Sequence, residues 1–178
     1  MDAVQALLQA TSVRDLTMEA VAKQAGVGKP TLYKWWPSKA ALVLAFFNER
    51  LALAVPDTDE RTFEGAIRYR VLRLIGEYKG QLGRITAELV AEGQSDHAIL
   101  KDFYDRHVIV RRAQVISIIE QAKASGELRP ETNAEVLVDE IFGPIYYRLI
   151  LRIQPFDEAW GDQLIDQVLC GVRAAQAD

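Results

Sequence analysis

Apolar side chains recur along this chain at intervals of three and four, and nowhere alternate one by one over a strand's length. That is the period of helices. Val4, Leu7 and Leu8 mark a short first helix over residues 2–10. Thr17 suits an N-cap, Glu19 puts an acid in the first turn of a second helix, and Gly26 follows Ala25 as a left-handed terminator. A third helix begins around Gly28, carries Pro30 in its first turn, where a missing N–H costs little, and stops at Pro37. Ser38 caps a fourth, with Leu42, Val43, Phe46 and Phe47, that runs to about Leu53. Over residues 17–46 the inward set is Ala22, Ala25, Val27, Leu32, Trp36, Leu42 and Phe46. Lys29, Thr31, Tyr33, Lys34, Trp35 and Lys39 reach outward from the same stretch.

The interval 54–60, with Pro56, Asp57 and Asp59, reads as a break. Beyond it, Ile67, Val71, Leu74, Ile75 and Tyr78 mark a fifth helix from about Thr62. Gly80 and Gly83 lead to a short sixth near Arg84–Glu92. Ser95 opens a long seventh, with Ile99, Phe103 and Val110 inward, ending at Gly126. Thr132 and Glu135 form a capping box for an eighth, and Asp157 caps a ninth to about Ala175. The pattern predicts an all-α fold of about nine helices: a three-helix helix-turn-helix head, 1–46, and a helical body, 47–178.

The eighth helix carries two adjacent apolar rows, Leu137, Ile141, Ile145, Leu149 and Val138, Phe142, Tyr146, Ile150. One row suffices for a surface helix. With Leu164, Ile165, Val168, Leu169 and Val172 of the ninth, the second row suits a two-fold dimer packed as a four-helix bundle. The alternative is that both rows face the chain's own core. Gly143-Pro144 removes a backbone hydrogen bond and is expected to bend the helix.

Composition sharpens this picture. The longest apolar run, 40–47, is too short for a membrane span. A basic-plus-apolar leader is missing, and the single Cys170 excludes an intrachain disulfide, so the expected location is the cytosol. The net charge of −4 is uneven. Residues 1–50 carry +2, and the rest carry −6. Scatter in small numbers would explain that split, and so would a DNA-reading head on an acidic body.

A recognition helix lays its first turns in the major groove. The third helix has the residue types for it. Gly28 opens the helix, Lys29 can donate to guanine O6/N7, and Pro30 and Thr31 can meet a thymine methyl. Tyr33 and Lys39 suit phosphates, Thr17 suits the DNA backbone, and Lys34 and Trp35 flank the groove. Spacing alone is equally compatible with a solvated basic face.

The segment AVAKQAGVGKPTLYKWWPSKAALV resembles the signature of the tetracycline-repressor (TetR) family, whose pattern is close to IAxxAGVSxGTLYxxFxSKExLL. The matching positions are Val21, Ala22, Ala25, Gly26, Val27, Thr31, Leu32, Tyr33, Trp36, Ser38, Lys39 and Leu42. Departures are Gly28 where a Ser commonly caps, Trp35-Trp36 for the usual His/Tyr-Phe pair, and a start almost at the first helix. The resemblance implies a dimer, joined through its last two helices, that binds a pseudo-palindromic operator. It further implies release by a small apolar or aromatic effector. A ligand-binding or adaptor dimer with a non-functional head is the alternative.

Other chemistry is sparse. His97 and His107 lie about 280° apart around a helix and do not share a face. Neither a metal site, a cofactor motif nor a catalytic constellation is expected, and Cys170 reads as a packing residue. Tyr69, Tyr78, Phe103, Tyr104, His107, Tyr146 and Tyr147 are the aromatic set of the helices that would line a pocket in that family. Phe103, His107 and Tyr146 are the candidate effector contacts; such rings also commonly fill cores.

Overall fold

The structure is a computed structural model, and it describes residues 1–56 and 58–173. Among these residues there is no strand. The α-helices are α1 Asp2–Ala10, α2 Met18–Ala25, α3 Lys29–Trp35, α4 Lys39–Ala54, α5 Phe63–Tyr78, α6 Gln81–Ser95, α7 His97–Phe103, α8 Ile109–Ser125, α9 Ala134–Leu151 and α10 Glu158–Cys170. A π-helical stretch, Tyr104–Val108, joins α7 to α8 without a break, so the described residues form nine uninterrupted helices. The all-α expectation holds. None of them is long and apolar enough to cross a membrane.

Local chemistry sets most of the ends. The Thr17 hydroxyl accepts from the Ala20 N–H at 3.1 Å, that of Ser38 from Ala41 at 3.1 Å, and the Asp157 carboxylate from Trp160 at 2.7 Å. Each satisfies an N–H that the helix itself leaves unpaired. Three boundaries differ from expectation. Gly80 caps α6, so that helix starts earlier and runs on through Ser95, and Asp96 rather than Ser95 caps α7. Asn133 rather than Thr132 caps α9, its side chain accepting from Val136 at 3.2 Å. An Asx side chain holds this geometry at least as well as a Thr, so the capping box gives way by one position. Helix α10 ends at Cys170; Ala175, and Asp57 in the break, lie outside the described residues. Helix α9 continues through Gly143-Pro144.

Two compact units emerge. The first combines Met1–Leu53 with Gly80–Val108. In it α1 packs on α2, α2 on α3 and α6 on α7. Its core holds Leu8, Leu42, Leu44, Phe46, Phe47, Ile85 and Leu89, all fully buried. Each such side chain contributes about 1.5–3 kcal/mol by leaving water. Helix α4 is buried over nearly all of Ala40–Phe47, which accounts for its unbroken apolar run.

The second unit combines Ala54–Lys79 with Ile109 onward. Helix α5 touches α8, α9 and α10, and α9 touches α8 and α10. The row Leu137, Ile141, Ile145, Leu149 is buried throughout. The second row is graded, with Val138 buried, Phe142 and Tyr146 half-buried and Ile150 exposed. Ion pairs lace the surface: Arg68 of α5 donates to Glu64 and to Asp162 and Asp166 of α10, and Arg112 of α8 meets Glu135 and Asp139 of α9. The three carboxylates around Arg68, Asp166 foremost, raise its pKa and keep it cationic.

Candidate nucleic-acid interface

The helix-turn-helix corner is built by its residues in turn. Gly26 adopts φ +66°, a left-handed conformation that costs glycine little. Its N–H donates to Lys23 O, and the Val27 N–H to Ala22 O at 3.0 Å, closing α2. Gly28 is the N-cap of α3 and has no side chain to cap with; the Thr31 N–H donates to its carbonyl at 3.0 Å. Pro30 occupies the first turn as expected.

Leu32 is the buried residue of α3, and Trp36, just beyond it, is half-buried. Everything else on α3 faces outward. Gly28, Lys29, Pro30, Thr31, Tyr33, Lys34 and Trp35 are exposed, Trp35 at 69% and Tyr33 at 48%. Exposing two large rings on one short helix is unusual for a helix that only packs. Ala25 and Val27, expected inward, are exposed too: the buried positions on either side of the corner are Val21 and Ala22 of α2 and Leu32 of α3.

Two candidate cations are engaged. The Lys29 ammonium ion-pairs with Glu19 of α2. That hydrogen bond, first among the causes, holds the Glu19 carboxyl below its ordinary pKa. Lys39, half-buried at the start of α4, donates from Nζ to the Arg14 carbonyl at 2.7 Å. Thr17 is exposed and its hydroxyl is occupied as a cap. Sequence reasoning missed Glu19 as the partner of Lys29, because no helical spacing links residues ten apart across a turn.

The candidate effector contacts divide between the units. Phe103 and His107, both buried, stack against Phe47 of α4, with ring centroids 6.1 Å apart for Phe47–Phe103, 4.7 Å for Phe47–His107 and 5.1 Å for Phe103–His107. His107 lies on the π-helical stretch and its Nδ1 is 2.9 Å from the Asn48 Oδ1, a partner that the sequence did not signal. Such stretches are frequent at functional sites. Tyr146 belongs to the second unit, where it packs edge-on against Tyr78 at 6.2 Å. Burial pushes its phenol pKa up, and a hydrogen bond with Tyr78 acts the other way. His97 is exposed.

Residues 1–46 match the family described as "Bacterial regulatory proteins, tetR family", and residues 55–168 match "Tetracyclin repressor-like, C-terminal domain". The uncharacterized HTH-type transcriptional regulator YdeS of Bacillus subtilis is 31% identical, over 91% of this chain and 82% of that protein. Another, Rv1556 of Mycobacterium tuberculosis, is 30% identical over 92% and 80%. Among solved structures, the TetR family transcription regulator SCO0332 superposes with a TM-score of 0.77 at 32% identity, covering 94% of this chain and 92% of that one. The transcriptional regulator FadR of Bacillus subtilis, solved in complex with stearoyl-CoA, shares the fold with a TM-score of 0.68 at 17% identity, covering 97% of each chain. Helix-turn-helix corner, outward-facing α3 and matches along both parts of the chain agree: the protein belongs to the TetR family of HTH-type transcriptional regulators.

Proposed function

We propose that the protein is a ligand-responsive repressor that binds a pseudo-palindromic operator as a homodimer and lets go when a small apolar or aromatic effector binds. The observation that carries the reading is α3 itself: Leu32 anchors it, and Lys29, Thr31, Tyr33, Lys34 and Trp35 stand in solvent. That is the arrangement a helix needs to enter a major groove while its positions are fixed by phosphates. Residues 1–46 then act as the DNA-reading head and 47–178 as the effector and dimer body, working in the cytosol.

Lys29 reads a guanine, Pro30 and Thr31 meet a thymine methyl, and Gly28 brings the backbone close to the groove wall. Tyr33, Lys39 and Thr17 bind phosphates, with Lys34 and Trp35 at the groove edge. The effector acts on the body, with Phe103, His107 and Tyr146 among its contacts, and shifts the spacing of the heads through α4 and the continuous helix that α7, the π-helical stretch and α8 form. The aromatic packing around His107 supports an apolar ligand. Dimerisation uses α9 and α10, supported by the exposure of Val136, Tyr147, Ile150 and Leu151 on α9.

A duplex selected by the protein from a random-sequence pool provides the test. Lys29→Ala is expected to cost ~1–3 kcal/mol on that duplex and to relax the preference at one base pair. Lys39→Ala is expected to weaken all duplexes alike and to reduce the salt slope by about 1. Failure of the wild-type protein to retain any duplex favours the adaptor reading, in which the dimer persists without a working head.

A further inference from the structure

At the end of α1 the Thr11 N–H and hydroxyl both donate to the Leu7 carbonyl, each at 2.9 Å, and Thr11 is extended rather than left-handed. The last turn has no basic residue of its own, and the carbonyl next to that of Leu7 is met from α6. The Arg84 guanidinium donates to the carbonyl of Leu8 and, at 3.3 Å, to that of Thr11. Glu88, one turn later, accepts from Arg84 through Oε1 at 2.8 Å and from the Val13 N–H through Oε2 at 2.7 Å. One i,i+4 pair therefore satisfies three backbone groups between Leu8 and Val13, 73 to 76 residues away in the chain.

The setting makes these bonds strong and the turn stiff. The pair is largely shielded, with 34% and 22% of the two side chains exposed, so solvent screens it less than it would a surface ion pair. The planar, multidentate guanidinium serves two carbonyls and a carboxylate at once. Leu8, Val13 and Leu16 are buried, and Lys39 donates to the Arg14 carbonyl within the same turn. Directly after it come Thr17 and α2, which packs on α3.

We infer that Arg84 and Glu88 are positioning residues for DNA reading: they lock the turn between α1 and α2, and through α2 they fix the pose in which α3 meets base edges. The inference rests on the DNA-reading function proposed above. Both residues lie beyond residues 1–46, and neither touches the duplex. Hydrogen bonds to base edges fail over fractions of an ångström, whereas attraction to phosphates tolerates them. Loss of the lock therefore falls on the selected sequence rather than on DNA in general.

The test uses the full chain, its selected duplex and a scrambled duplex of equal length. Arg84→Gln and Glu88→Gln are each expected to weaken the selected duplex about tenfold, which corresponds to about 1.4 kcal/mol. The scrambled duplex and the slope of affinity against salt should stay unchanged, and amide exchange at Val13 should speed up in Glu88→Gln. Arg84→Lys restores part of the affinity, while the exchanged pair Arg84→Glu with Glu88→Arg restores none, since a carboxylate cannot donate to Leu8 and Thr11. Wild-type affinity in both Gln variants, recovery in the exchanged pair, or a fall in the salt slope would each overturn the inference while leaving the DNA-reading function intact. If Arg84→Gln does not fold, the isosteric Glu88→Gln decides alone. A wild-type protein that selects no duplex overturns the DNA reading itself, and this inference with it.

Discussion

Lys29 illustrates how much a single side chain depends on its neighbour. Its ammonium is paired with Glu19, and if Lys29 reads a guanine as proposed, it must leave that carboxylate first, so the two contacts compete. Binding to arbitrary DNA, which rewards every free cation, is the process that the pair suppresses. Glu19→Gln is accordingly expected to raise affinity for a scrambled duplex at low salt, as read by fluorescence anisotropy. Because the folded-state carboxyl is held below its ordinary pKa, the pair persists above the carboxylate range and is lost as pH falls through it. The difference between Glu19→Gln and wild type should therefore vanish in acid. The caps at Thr17, Ser38 and Asp157 and the left-handed Gly26 were legible in the sequence, because each depends on residues at most four apart. Glu19, Asn48 and Arg84 were not. Their partners lie across turns or in other helices, where no period applies.

At the scale of elements, helices with strong apolar spacing were readable and their joints were not. The join of α6 to α7 shows why: Ser95 and Asp96 are adjacent and both of a cap-forming type, and it is the Asp96 carboxylate that accepts from the Ala98 N–H, at 2.9 Å. At Gly93 the two helices come so close that an added Cβ would lie 3.0 Å from the Leu100 Cβ and 3.2 Å from its backbone. The π-helical stretch, Tyr104–Val108, likewise has no signature in the apolar pattern, which continues through it. Glycines within helices test the packing. At Gly161 of α10 an added Cβ would sit 2.7 Å from Ile75 Cδ1 and 2.8 Å from Leu72 Cδ2 of α5. Both atoms are side-chain ends, but Ile75 is fully buried and Leu72 half-buried, so the contact is relieved only by repacking. Gly161→Ala is expected to destabilise by ~1–3 kcal/mol through overpacking. Gly76→Ala, with nothing within 4 Å, is expected to stabilise by about 0.5–1 kcal/mol. Urea unfolding of the two variants, with opposite shifts in midpoint, checks both.

For the whole molecule, the family and the all-α plan were legible because the 20–43 signature has fixed spacing and the helices are strongly periodic. What covers the outer face of α9 was open in the sequence, where two apolar rows had two possible neighbours. The first row fills the chain's own core, and of the second only Ile150 is exposed, at 46%; Tyr147 at 59% and Leu151 at 53%, which belong to neither row, are exposed on the same helix, and in the proposed dimer a second copy covers them. A two-fold interface counts every substitution twice, and each apolar side chain buried there contributes about 1.5–3 kcal/mol. Tyr147→Glu with Ile150→Glu is expected to yield a folded monomer in sedimentation velocity, with operator affinity lost alongside the dimer. Effector and DNA, acting on one dimer, should weaken each other by the same factor.

The most direct measurement is base-resolved protection of the selected duplex, with the mass of the complex determined in parallel. Two protected major-groove patches are expected, related by two-fold symmetry, with centres about 34–36 Å apart or slightly more, and two chains per duplex. A single patch under one chain, or protection that ignores sequence, would contradict the proposed function.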